Sequence, residues 1–345
     1  MGMKKTLLLI AIVFFVVACH DKEDACVTSV GPEEALMVTD TITMKCVRSD
    51  LQILMPVRLF ITKNHLVLYQ TQVENLFQIY DLPLTGKCFS VGMIGRGPDE
   101  FISPDSRSMI GNQSGFCLAD KDAYKSVSIV DSTLKVESKE PLFTDGAPLN
   151  GVIKIGDKYL NLDVNAMIPG QMPEGIKQFQ VIGTEGVENR ICDLPDWDEN
   201  NSNIVRYVSH VVANPENDLF AAFYCGYRKI RYYSMSGNLI KEVSADFPDQ
   251  SVHTGSLFYE TYTSPVASKD RIAVRCGNYA RTGQDITPDS TEYQIWDWDG
   301  HLIHRLIVPM RLGAYTVDFS TGILYATSSE FEDEIFYSDI SEYLK

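Results

Sequence analysis

The chain has 345 residues, 45% of them hydrophobic and 22% charged, with a formal net charge of −16. That acidity speaks against nucleic acid, whose phosphates need a basic face, and against an electrostatic hold on anionic lipid. A chain this long can bury a sufficient core without covalent staples.

The N-terminus opens on Lys4 and Lys5, followed by an unbroken apolar run from Leu7 to Ala18. A charged segment and a short apolar segment are the parts of an export signal. The run is too short to span a bilayer, which takes roughly 20 apolar residues. It ends in Val16-Val17-Ala18-Cys19, which resembles the lipobox of bacterial lipoproteins. The resemblance implies that residues 1–18 are removed, that the Cys19 thiol takes a diacylglycerol, and that the new amine is acylated. Several acyl chains anchor firmly where one is marginal. The alternative is an ordinary signal with an incidental cysteine. Met1-Gly2 and Thr6 also fit a myristoylation pattern, but the long apolar run behind them argues against it.

Residues 19–36 read as the lipidated Cys and a polar leash of roughly fifteen to twenty residues, spanning about 20–25 Å. Asp21, Glu23 and Asp24 loosely resemble the acidic surface-display signal of lipoproteins of the Bacteroidota. The expected address is the cell envelope, as an outer-membrane lipoprotein, with periplasmic face and cell surface both open. Cys26, Cys46, Cys88, Cys117, Cys192, Cys225 and Cys276 then remain. Their odd number and the lack of a C-x-x-C suggest that most are small buried apolar residues. Cys26 and Cys46 are the first disulfide pair to test.

From residue 37 to 345 the chain reads as all-β. Short alternating runs rich in Val, Ile, Tyr, Phe and Thr are punctuated by Gly, Asn, Asp and Pro. Lys63-Asn64 forms one turn, with Leu66–Tyr69 and Leu76–Tyr80 following at strand spacing. The runs group into units: Met55–Phe101, Ser106–Thr144, Leu149–Leu194, Tyr207–Phe247, Tyr262–Pro309 and a short Leu312–Tyr337. Units of about 40–48 residues have the period of propeller blades. A four-stranded blade cannot bury both faces alone, and radial packing buries them. The expected fold is a six-bladed β-propeller. The last unit runs out after three strands, so Thr41–Val47 should supply its outermost strand and close the ring. A β-sandwich with a second domain is the alternative.

Gly95-Arg-Gly-Pro-Asp-Glu-Phe101 closes the first unit. It resembles the G-x-G-P-x-E-F stretch of the TolB-like six-bladed propeller lipoproteins of the Bacteroidota. With the lipobox, length and unit count, the resemblance spans nearly the whole chain. It implies a fold and an address but no reaction. No Gly-Lys-Ser/Thr follows Gly97, so this is not a phosphate loop. Gly95 and Gly97 are expected to permit positive φ, Pro98 to stop a strand, and Phe101 to plug between blades. Asp99 and Glu100 should then lie at the blade-to-blade crossing, with ligand contact as the alternative.

No cofactor and no metal is expected. Asp196–Ser202 carries alternate oxygen ligands, but Asn201 and Tyr207 stand where a calcium loop needs Gly and Glu. His301 and His304 should face opposite ways on a strand. A cross-blade metal site would have to use His210 and His253, in the manner of propeller lyases and lactonases. No G-x-S-x-G elbow is present.

The channel mouth is the expected site. The residues opening the units there are Arg58, Arg107, Tyr207, His210, Tyr262 and Tyr315. An arginine pair with aromatics suits a carboxylate, a sugar acid or a peptide end. The alternative is that these residues merely fill the mouth. The expected function is a non-catalytic, lipid-anchored propeller that binds a protein, peptide or glycan. A metal-dependent lactonase or lyase, and a structural partner in an envelope complex, are the competing classes.

Overall fold

Neighbouring residues on a strand point to opposite faces, so a strand buried on both faces must feed two separate cores. The strands do this. The first blade consists of β4 (Pro56–Ile61), β5 (His65–Gln70), β6 (Asn75–Asp81) and β7 (Cys88–Met93), each antiparallel to the next. On β5, Leu66 and Leu68 pack toward the last blade, whereas Val67 and Tyr69 pack toward the second. On Leu219–Tyr224 of the fourth blade, Phe220, Ala222 and Tyr224 join the third blade, and Ala221 and Phe223 join the fifth. Buried hydrophobic residues therefore form six wedges, one between each pair of adjacent blades. Each buried Leu, Ile or Phe in them contributes about 1.5–3 kcal/mol.

The computed structural model describes residues 25–164, 176–195, 207–245, 258–281 and 289–345. Six sheets form a closed ring, a six-bladed β-propeller. The second blade runs from Ile110 to Pro141, the third from Ile153 to Asp193 and the fourth from Ser209 to Ala245. The fifth runs from Phe258 to Val308, and the sixth from Tyr315 to Asp339. All six units read from the sequence correspond to blades.

The ring closes as expected. β3 (Lys45–Arg48) pairs antiparallel with Glu334–Asp339 as the fourth strand of the last blade, placing Lys45 opposite Tyr337 and Arg48 opposite Glu334. The segment before it corrects the expected leash. β1 (Cys26–Val30) lies parallel to Leu239–Ala245 as a fifth strand on blade four. β2 (Thr39–Thr41) lies parallel to Leu302–Val308 on blade five. Between them α1 (Pro32–Met37) has Pro32 in its first turn with Glu33 and Glu34, a start that suits the helix dipole. Its Ala35 is fully buried in the wedge between blades four and five. Residues 26–48 thus form a strap across the outer edges of three blades. Residues 20–25 alone separate Cys19 from β1, a reach of at most about 25 Å.

The strap also separates the two cysteines proposed as a pair. Cys26 lies on blade four and Cys46 on blade six, and every cysteine among the described residues is a free thiol. Cys192, Cys225 and Cys276 are buried, as read, but Cys26 and Cys46 are exposed.

The Gly95–Phe101 motif joins blades one and two. Phe101 is fully buried in the wedge between them, with its ring centroid 5.3 Å from that of Phe77. Asp99 Oδ1 accepts from the backbone N–H of Val136 on the second blade at 2.8 Å. The Glu100 carboxylate folds back to accept from Gly97 N–H at 2.6 Å. Neither glycine has positive φ, contrary to expectation. Their reason is proximity: a Cβ on Gly95 would lie 1.9 Å from Glu100 Oε2. Beside the motif, Lys125 is buried, ion-paired with Asp120, and donates to the Glu100 carbonyl at 2.8 Å. Asp120 in turn accepts from the N–H groups of Ile102 and Ser103.

Candidate functional site

The innermost strands of the blades surround a cavity of about 370 Å³ on the ring axis. Every blade contributes to its wall, with Ile61, Gly111, Lys154, Ala213, Ala267 and Val317 as one representative each. At one end the starts of these strands bring charged groups together.

Arg58 projects from β4. Its Nη2 donates to Pro265 O at 3.5 Å, the limit of a hydrogen bond, and its buried Nε has no acceptor. Burial lowers its pKa, while the nearby Tyr315 and Asp105 oppose this; an arginine nonetheless stays charged. Arg107 sits on a short 3-10 turn, Ser106–Ser108, and donates from Nη1 to Asn150 Oδ1 at 2.9 Å. Asp105 caps that turn. Its Oδ1 accepts from Arg107 N–H at 3.1 Å, and its Oδ2 accepts from Gly151 N–H at 2.7 Å and Val152 N–H at 3.3 Å. Burial raises the Asp105 pKa against these backbone bonds and the charge of Arg107.

His210 is held by the fifth blade. The innermost strand there, Phe258–Ala267, shifts register between Thr263 and Val266, and Ser264 takes a left-handed φ of 51°. The bulge aims the Ser264 N–H at His210 Nδ1, 3.3 Å away, and the Pro265 carbonyl at Arg58. An accepting Nδ1 assigns the proton of the neutral ring to Nε2. Burial, then the charges of Arg107, Arg58 and Arg275, holds His210 well below its ordinary pKa. Arg275 reaches in from the second strand of blade five. It donates from Nε to Thr263 Oγ1 at 3.0 Å and from Nη1 to Gly313 O at 2.9 Å. Arg58, Arg107 and Arg275 make no ion pair with an acid among the described residues.

The structure thus brings Arg58, Arg107 and His210 together, as the sequence suggested. The tyrosines are a correction. Tyr207, Tyr262 and Tyr315 are at most 1% exposed and lie in the wedges, not in the channel. Each packs between its own blade and the preceding one. Tyr262 meets Phe223 edge-on at 5.6 Å, and Tyr315 donates to Ala273 O at 3.0 Å. A strand-opening tyrosine turned onto the sheet face buries its ring against the next blade, whereas one turned to the axis would leave it wet.

Sequence reasoning missed Arg275, which does not open a unit. Its signal was a lone cation inside the apolar run Ile272–Cys276. His253, the acidic stretch Asp196–Ser202 and Cys19 lie outside the described residues. Asp297, Asp299 and His301 group at an exposed outer turn of blade five, where His301 Nδ1 lies 2.9 Å from Asp297 Oδ2. His304 instead faces Asp40 and Tyr343. Among the described residues no helix is long and apolar enough to cross a membrane.

No protein-family model and no curated protein matches the chain. Solved structures do. A member of the DUF4221 family from Bacteroides vulgatus ATCC 8482 is similar over 86% of this chain and 96% of its own, at 12% identity and a TM-score of 0.52. The likeness is one of fold. A streptogramin B lyase matches at 10% identity over 85% of this chain and 96% of its own, with a TM-score of 0.45. The periplasmic gluconolactonase of Pseudomonas aeruginosa matches at 10% identity over 84% and 83%, with a TM-score of 0.43.

Proposed function

We propose that this chain is a non-catalytic receptor of the cell envelope, held to the outer membrane by lipid on Cys19 and binding its ligand at the axis of the propeller. The observation that carries the reading is that Arg58 and Arg107 line a walled cavity, with the charge of Arg275 acting on His210 alongside theirs, in a chain whose net charge is −16. Cationic side chains that make no ion pair among the described residues, beside a cavity, form a receptor for something negative. The anchor is supported by Val16-Val17-Ala18-Cys19, and by the resemblance of Gly95–Phe101 to propeller lipoproteins of the Bacteroidota.

A metal-dependent lactonase or lyase fits the same cavity less well. His210 Nδ1 is already an acceptor for a backbone N–H, and the charges of Arg107, Arg58 and Arg275 all act on the ring. A divalent cation would be repelled there.

The test is native mass spectrometry of the protein recovered from its own envelope. The wild type should retain a bound species that Arg58→Ala with Arg107→Ala releases, while the ring still melts cooperatively. Equal occupancy in both proteins would overturn the site. A stable protein partner with an empty channel would favour the structural-partner class, and stoichiometric divalent metal in the channel would favour the enzyme. Labelled palmitate should enter the protein and be lost in Cys19→Ala; uptake unchanged by that substitution would refute the anchor.

A further inference from the structure

We infer that the channel takes a small organic acid with an apolar body, its carboxylate held by Arg58 and Arg107 and its body against the aliphatic wall. This rests on the receptor reading and names its ligand class.

Charge gives the head group. Arg58 and Arg107 share one nearby carboxylate, Asp105, and both oxygens of that carboxylate are taken up by backbone N–H groups. His210 accepts a backbone N–H as the neutral ring and does not offset them. Arg58 commits one long bond to protein and leaves Nε without an acceptor. A buried donor of this kind costs about 1–3 kcal/mol unless a partner is supplied. The planar guanidinium fork matches a carboxylate in two parallel bonds.

The wall gives the body. Beyond the arginines the cavity is lined mainly by apolar side chains, Val212, Val266 and Val317 among them, with Ser108, Lys154 and Thr316 as polar exceptions. A sugar acid would leave most of its hydroxyls unpaired against the apolar part of the wall. Tyr207, Tyr262 and Tyr315 are in the wedges, and Tyr124, which borders the cavity, is buried against Tyr159 with ring centroids 4.8 Å apart. A cavity of about 370 Å³ lies near the lower end of small-molecule sites, roughly 300–1,000 Å³. Its size suits one short acid or one terminal residue of a chain.

Calorimetric titration of the purified protein with octanoate, octan-1-ol, octylamine and inorganic phosphate tests this. Octanoate should bind at one site, with each of the others weaker by at least about tenfold. Arg58→Gln and Arg107→Gln should each weaken octanoate by about tenfold or more without changing the melting profile. Arg58→Lys keeps the charge without the fork and should fall between. N-acetyl-Ala-Leu with a free or an amidated carboxyl separates the two sources. Binding of the free form as tight as octanoate assigns a chain terminus, and octanoate alone assigns a free acid. No octanoate binding, equal binding of octanol, or unchanged affinity in both glutamine variants overturns the inference. If native mass spectrometry still finds an occupant released by the arginine substitutions, the receptor reading stands and only this ligand class falls.

Discussion

Replacing Gly95 by alanine should damage the joint between the first two blades through a residue five positions away. An alanine Cβ would lie 1.9 Å from Glu100 Oε2 and 2.5 Å from its Cδ. The backbone at Gly95 is ordinary for an L-residue, so the glutamate must move. Moving it breaks the 2.6 Å bond from Gly97 N–H to the carboxylate. A charge-assisted bond of that kind is worth about 1.5–3 kcal/mol. Glu100 is only half-buried, so its displaced carboxylate regains water, and the cost should be about 2 kcal/mol. Glu100→Ala removes the same bond and should cost a similar amount. The double variant has neither clash nor bond, so it should cost no more than either single change, giving a coupling of about 2 kcal/mol. Denaturant unfolding of the four proteins, followed by circular dichroism, measures the cycle. Additive costs, about 4 kcal/mol in the double variant, would refute the argument from proximity.

Two further predictions concern groups in the wedges and at the channel. Tyr262 and Tyr315 are both buried, but only Tyr315 has an acceptor, Ala273 O, whereas the Tyr262 hydroxyl has none. Tyr315→Phe should therefore cost about 1 kcal/mol, and Tyr262→Phe should be neutral or stabilising; an equal loss in both would contradict the assignment of these hydroxyls. His210 is held below its usual pKa, so unfolding lets it take up a proton. Its contribution to stability is intact above about pH 6.5 and is lost as pH falls below that, by up to about 1.4 kcal/mol per unit. Asp105, raised by burial, acts with the opposite sign and is common to wild type and His210→Gln. The stability advantage of wild type over His210→Gln should shrink between about pH 7 and pH 5; a constant difference would mean that the ring is not held neutral.

The blades were legible because their strands are buried on two faces and their turns are exposed. Leu66–Tyr69 and Leu219–Tyr224 carry that double burial in the sequence itself. The closing strand was legible from a deficit, since the last unit has three strands and an edge needs cover. β1 was not legible. Only Val30 of its five residues is buried, so no alternation marks it, and its partner strand stands far along the chain. In the candidate site, position at the opening of a unit pointed to Arg58, Arg107 and His210. Position could not say which face a side chain takes, and so the tyrosines were placed at the axis. Their hydrophobic area decided for the wedge. Gly95 and Gly97 were recognised as required, for a reason that only the fold-back of Glu100 supplies.

The strap has a consequence for how the protein is made. Cys26 pairs opposite Lys241, Thr39 opposite Arg305, and Lys45 opposite Tyr337. These are the longest-range pairings in the ring, and they join the earliest residues of the described chain to its last three blades. A chain crossing a membrane N-terminus first would present β1, β2 and β3 long before their partners emerge. Pairings across such separations form slowly, and unpaired edges invite wrong partners meanwhile. Assembly should then finish at both ends at once, with the N-terminal strap complete only when the sixth blade arrives. A chain truncated before Glu334 would lack the strand that receives β3, leaving the ring open where its beginning should meet its end.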